Sequence, residues 1–175
     1  NPITENLGTI LSCHRKWLGL VYSKAMPLTE DQRNLRGNLR GMKFKNQDFS
    51  FLDLSYMNLE SVQFIECKFI KSNLRGVWAL NANFENCLMI STNLRNAYGK
   101  SVNFSESKLN HSDLSHSFWM NADFVDTDMR GVKARGAFFN DADFSDANLK
   151  HTDFSFSRLS PEDWKLYEKS IPARR

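Results

Sequence analysis

Every fifth residue from Leu39 to Leu159 is the centre of a short repeat, and no insertion or deletion interrupts the series. Most centres are Phe or Leu. Asn or Asp usually precedes the centre and a small residue stands two before it, as in Ala82-Asn83-Phe84, Ala122-Asp123-Phe124, Ala142-Asp143-Phe144 and Ala147-Asn148-Leu149. A strict short period implies a solenoid, in which each turn buries its apolar residue only by stacking on the next. A longer period lies over the short one. Every twentieth residue from 44 gives Phe44, Phe64, Phe84, Phe104, Phe124 and Phe144. The adjoining columns read Phe49, Phe69, Met89, Leu109, Met129, Leu149 and Leu54, Leu74, Leu94, Leu114, Ala134, Phe154. The last reads Leu39, Leu59, Ala79, Gly99, Trp119, Phe139, Leu159. An unbroken Phe column requires residues twenty apart to stack, so four pentapeptides make one square coil.

The unit resembles that of the pentapeptide repeat family, written A(D/N)LXX, over about 120 of the 175 residues. The resemblance implies an all-β solenoid, a right-handed quadrilateral β-helix with the centre and the small residue two before it pointing inward. Stacking at roughly 4.8 Å per coil then gives about six coils and a rod on the order of 30 Å long.

Residues outside the repeat supply caps. Ile3, Leu7, Ile10, Leu11, Leu18, Val21 and Tyr22 fall at helical spacing, which predicts an amphipathic helix over residues 3–25, capped by Thr4 or Asn6 and ended by Pro27. Thr29-Glu30-Asp31-Gln32 starts a second short turn. Ser160-Pro161 reads as an N-cap with Pro at the first helical position, opening a short helix with Trp164, Leu166 and Tyr167. The expected division is 1–36 as an N-terminal helical cap segment, 37–160 as the β-helix, and 161–175 as a C-terminal capping helix and tail.

The formal charge is +3 and the hydrophobic content 41%, which fits one ordered domain. No apolar run of membrane-spanning length and no signal peptide is present. The start at Asn1 rather than Met suggests an excised piece. Cys13, Cys67 and Cys87 are odd in number and lack CxxC spacing, which favours a reducing compartment, cytoplasmic in a bacterium or in its host, and disfavours structural zinc. Cys67 and Cys87 are stacked inward positions and read as buried free thiols. Ala79 and Gly99 are undersized centres, and Trp119 follows in their column, so the indole is expected to fill the room they leave.

One outward column breaks the polar rule. The residues before the fourth-face centres are Asn38, Asn58, Trp78, Tyr98, Phe118, Phe138 and Arg158. Leu80 and Met120 belong to the same face with Lys100 between them, and Leu88 lies around the next edge. An exposed apolar patch of this size marks an interaction site. It could instead be covered by the N-terminal helix lying along it, or by the C-terminal helix near Phe138; the N-terminal helix could equally cap the first coil.

Catalytic and cofactor signatures are absent. His14, His111, His116 and His151 do not converge and are expected on the surface; His111 and His151 share a column but lie roughly 10 Å apart, two coils, too far to share a metal. Asp123, Asp126, Asp128, Asp141, Asp143 and Asp146 read as the repeat's own Asp/Asn preference, and a solid four-sided rod offers no pocket for a carboxylate pair or a small-molecule substrate. Arg33, Arg36, Arg40, Lys43 and Lys45 cluster, and Arg75, Arg95 and Arg135 share a column, but Glu60, Glu66 and Glu85 interrupt any track for nucleic acid. No cofactor is expected, and the chain reads as no enzyme.

Three functions remain. The leading one is a non-catalytic protein-interaction module with Trp78, Leu80, Tyr98, Phe118, Met120 and Phe138 as its contact face, its partner unidentified or a second copy. The family resemblance extends to bacterial secreted effectors that join such a β-helix to a catalytic region. A self-associating structural spacer is the second reading. The third is the family branch that mimics duplex DNA and binds gyrase, whose members look like acidic rods, unlike this mildly basic chain.

Overall fold

The computed structural model describes residues 7–24 and 27–170. Its elements run α1 (Leu7–Tyr22), α2 (Glu30–Asn34), β1 (Lys43–Lys45), β2 (Gln63–Ile65) and α3 (Pro161–Ser170). β1 and β2 pair in parallel with Phe44 opposite Phe64. The same twenty-residue offset continues as single parallel bridges down four columns, for example Asn38 to Asn58 to Trp78 to Tyr98, and Asp53 to Asn73 to Asn93 to Asp113. Residues twenty apart are therefore neighbours, as the Phe column requires.

Tight turns make the corners. The carbonyl of Leu39 accepts from Met42 N–H at 2.9 Å, and that of Ala79 from Ala82 N–H at 3.0 Å. The third residue of each such turn has positive φ, from Gly41 at 69° to Asn81 at 54°. Between corners, N–H groups bond to the next turn of chain, as Leu59 does to Trp78 O at 2.7 Å. This satisfies backbone polar groups that a body so narrow would otherwise bury unpaired.

The interior is a set of ring stacks. Phe64, Phe84, Phe104 and Phe124 lie fully buried, with successive centroids 5.2, 5.4 and 5.1 Å apart, within 27° of parallel. Phe44, at the first turn, is only half-buried; Phe144 is buried at the far end of the column. Inward hydroxyls return their protons to centre carbonyls: Thr92 Oγ1 donates to Phe69 O at 2.6 Å and Ser112 Oγ to Met89 O at 2.6 Å. Trp119 fills the space over Gly99, where an added Cβ would sit 2.2 Å from the indole. Cys67 and Cys87 are free and buried.

The helices follow their caps with one correction. Thr29 and Gln32 form a capping box on α2, and Ser160 Oγ accepts from Asp163 N–H at 3.1 Å to start α3. α1 stops at Tyr22 rather than at residue 25, because Lys24 enters the left-handed region at φ 57° and its N–H bonds back to Val21 O. The proposed caps Thr4 and Asn6, with Ile3, lie outside the described residues. Both helices sit at the ends of the winding. His14 Nδ1 of α1 accepts from Gly37 N–H at 3.0 Å, and Tyr167 of α3 lies edge-on to Phe154 at 5.1 Å. His14 is thus a correction: Ile10, His14 and Leu18 are spaced by four on the buried face of α1, and His14 is 1% exposed rather than superficial.

Candidate functional site

Asn and Asp precede the centres for a reason visible at each turn. The side-chain Oδ1 accepts from the N–H two residues on, closing an Asx turn: Asn83 to Glu85 at 2.8 Å, Asn103 to Ser105 at 2.8 Å, Asp123 to Val125 at 2.8 Å. The Asp-rich zone is this chemistry. Asp128 and Asp143 close turns in the same way, and Asp126, Asp141 and Asp146 occupy left-handed corners. Arg130 bonded to the carboxylate of Asp128 pulls it down to about 2.

On the fourth face four turns give up this bond. Trp78, Tyr98, Phe118 and Phe138 stand where the Asx acceptor would be, and the N–H groups of Leu80, Lys100, Met120 and Asn140 have no recorded partner among the described residues. The four rings form a ladder instead. Trp78 stacks on Tyr98 at 4.4 Å and 16°, Tyr98 tilts onto Phe118 at 6.0 Å, and Phe118 stacks on Phe138 at 4.8 Å and 11°. Arg158 closes the end, its guanidinium carbon 5.0 Å from the Phe138 centroid. Stacking leaves the outer faces open: Trp78 is 44% and Phe118 38% exposed. Tyr98, Phe138, Leu80 and Met120 are half-buried, and Lys100 is exposed between them. Leu88 is half-buried on the neighbouring ladder between Lys68 and Lys108. The recorded contacts of α1 and α3 fall on the ends of the winding, not on this ladder.

The other candidates do not assemble. His111, His116 and His151 are exposed corner residues, and no metal-holding cluster exists among the described residues. The basic residues are partly neutralised where they stand, Arg40 by Glu60 at 3.2 Å and Arg95 by Asp113 at 3.1 Å. Burial pushes the Cys87 thiol up to about 12, far from a nucleophile's range.

Sequence reasoning missed a cavity. The winding carries an open hollow of about 360 Å³ lined by Asn110, His111, Arg130, Gly131, Lys150 and His151, and a cleft of about 420 Å³ lies between α1, the 28–36 segment and the first turn, lined by Trp17, Val21, Leu28, Arg33, Arg36 and Tyr56. The cleft's signal, Trp17 and two arginines outside the repeat and Tyr56 within it, was divided between segments whose mutual placement the repeat does not specify.

A family model described as pentapeptide repeats matches in eight copies, over residues 43–77, 81–117 and 120–160. No curated protein matches the chain. Among solved structures, full-length QnrB1, a plasmid-mediated fluoroquinolone resistance protein, is 16% identical with a TM-score of 0.33, covering 76% of this chain and 82% of that one. A repeat protein of the Arabidopsis thaliana thylakoid lumen is 20% identical with a TM-score of 0.36, covering 75% and 77%. HetL, involved in heterocyst differentiation regulation in Nostoc sp., is 15% identical with a TM-score of 0.26, covering 70% and 85%. No helix among the described residues is long and apolar enough to cross a membrane.

Proposed function

The chain belongs to the pentapeptide repeat family, and on that premise we propose that it is a non-catalytic protein-interaction module built on a right-handed quadrilateral β-helix of about six coils. Its contact face is the outer ladder of Trp78, Tyr98, Phe118 and Phe138, flanked by Leu80 and Met120. The observation that carries this reading is the exchange made on that face. Four successive turns forgo a turn-closing hydrogen bond worth about 0.5–1.5 kcal/mol each and present partly exposed rings instead. Rigid stacked aromatics lose little entropy on contact and are typical of interface centres. The partner is a protein with a complementary apolar strip.

Replacing Trp78 and Phe118 with Asn tests the assignment. Loss of partner binding with unchanged far-UV circular dichroism is expected; binding that survives the double change places the contact elsewhere. A second reading is self-association through the same face, favoured by the twenty-residue register of the rings, which a second copy matches by construction. Sedimentation at rising concentration separates the two, and hydroxyl-radical labelling of Trp78 and Phe118 reports which copies are covered.

A further inference from the structure

We propose that the cleft between α1 and the first turn of the winding binds a small amphiphile, an apolar body carrying one carboxylate. Three observations meet there. The first is a shaped apolar space. The volume of about 420 Å³ lies within the usual range for small-molecule sites, roughly 300–1,000 Å³, which are mainly apolar with a few polar groups. Leu28 forms a buried floor at 7% exposure.

The second is a wall held in place before any ligand arrives. Trp17 stacks on His14 at 5.6 Å and meets Tyr56 edge-on at 6.2 Å. The Tyr56 ring lies over Gly76, where a Cβ would sit 2.6 Å from two ring carbons. Any side chain at 76 would collide with the tyrosine, so the glycine lets Tyr56 hold this position. Preformed walls lower the ordering cost of binding.

The third is uncompensated charge. Arg33 Nη1 donates to Leu28 O at 2.9 Å, and both residues line the cleft. The Arg36 backbone N–H bonds to Arg33 O at 3.2 Å, but its guanidinium has no hydrogen bond among the described residues, and neither arginine is among their four ion pairs. Asp53, close to Tyr22 and Ser55, is already occupied. It accepts from Tyr22 Oη at 3.1 Å, Ser55 N–H at 3.0 Å, Ser55 Oγ at 2.6 Å and Asn73 Nδ2 at 3.1 Å. Two guanidiniums over an apolar floor complement a carboxylate head and an apolar tail, and the planar fork suits that head better than an ammonium would.

Octanoate and 1-octanol are the probes, titrated calorimetrically into the whole chain. Octanoate is expected to bind one site and octanol more weakly. Arg36→Gln should weaken octanoate at least about tenfold and leave octanol unaffected; Arg33→Gln should act in the same direction. Trp78→Asn, on the outer ladder, should change neither. The proposal fails if octanoate shows no saturable binding, if the two probes bind alike, if Arg36→Gln has no effect while circular dichroism shows the fold retained, or if Trp78→Asn removes the signal.

Discussion

A left-handed backbone costs about 1–2 kcal/mol at a residue other than Gly, Asn or Asp, and this chain places one at nearly every corner. Asn81, Asn86, Asn96, Asn121, Asp126 and Asp141 meet the requirement cheaply. Phe51 does not: it holds φ 63° while 72% exposed, so the ring repays little by burial. Phe51→Asn should therefore stabilise by on the order of 1 kcal/mol, raising the melting temperature by about 2–4 °C; a calorimetric scan that shows a fall would mean the ring has a contact that matters. Gly99 illustrates the opposite constraint. Its missing side chain makes room for Trp119, which is fully buried with Nε1 unpaired. Gly99→Ala should cost about 1–3 kcal/mol by overpacking. In a Trp119→Phe background the same change should cost much less, and additive penalties in that cycle would contradict the packing account.

At the scale of the element, α1 is attached by a narrow buried face, by the His14 bond to Gly37, and at its last residue by Tyr22 Oη to Asp53. Ile10, His14 and Leu18 face inward, and His14 Nδ1 must be unprotonated to accept from Gly37 N–H. Burial lowers the affinity of His14 for a proton, Asp53 and a Ser55 backbone bond oppose this, and Arg36 reinforces it. The unfolded chain takes up that proton at about pH 6.5, above the point where the folded one does. Stability from this group is thus complete above pH 6.5 and is lost as pH falls through the folded value. Denaturant midpoints measured from pH 7.5 down to about pH 5 should fall, and His14→Gln should flatten that slope.

For the whole molecule, legibility in the sequence followed repetition. The Phe column was readable because each Phe has the same neighbours above and below, so one packing rule is written six times over. The caps of α2 and α3 were readable because Thr29 and Ser160 act within one turn of chain. The burial of His14 was present in its spacing from Ile10 and Leu18 but was set aside with the other histidines. The end of α1 and the cleft beneath it were not readable, since both depend on one backbone reversal at Lys24 and on where α1 lands on Tyr56. The outer ladder was visible as a column of wrong residues, and the structure adds what the column gives up. If the buried inner stacks carry the fold, the outer rings are dispensable to it. Each Asn placed in the ladder should regain an Asx bond of about 0.5–1.5 kcal/mol and lose ring stacking of similar size, about 0.5–1.5 kcal/mol per pair. Trp78→Asn with Phe118→Asn should therefore melt within a few degrees of the parent, by about 2–4 °C per kcal/mol, while abolishing association through this face. A large loss of stability would instead show that the ladder braces the rod, and its exposure would then need no partner to explain it.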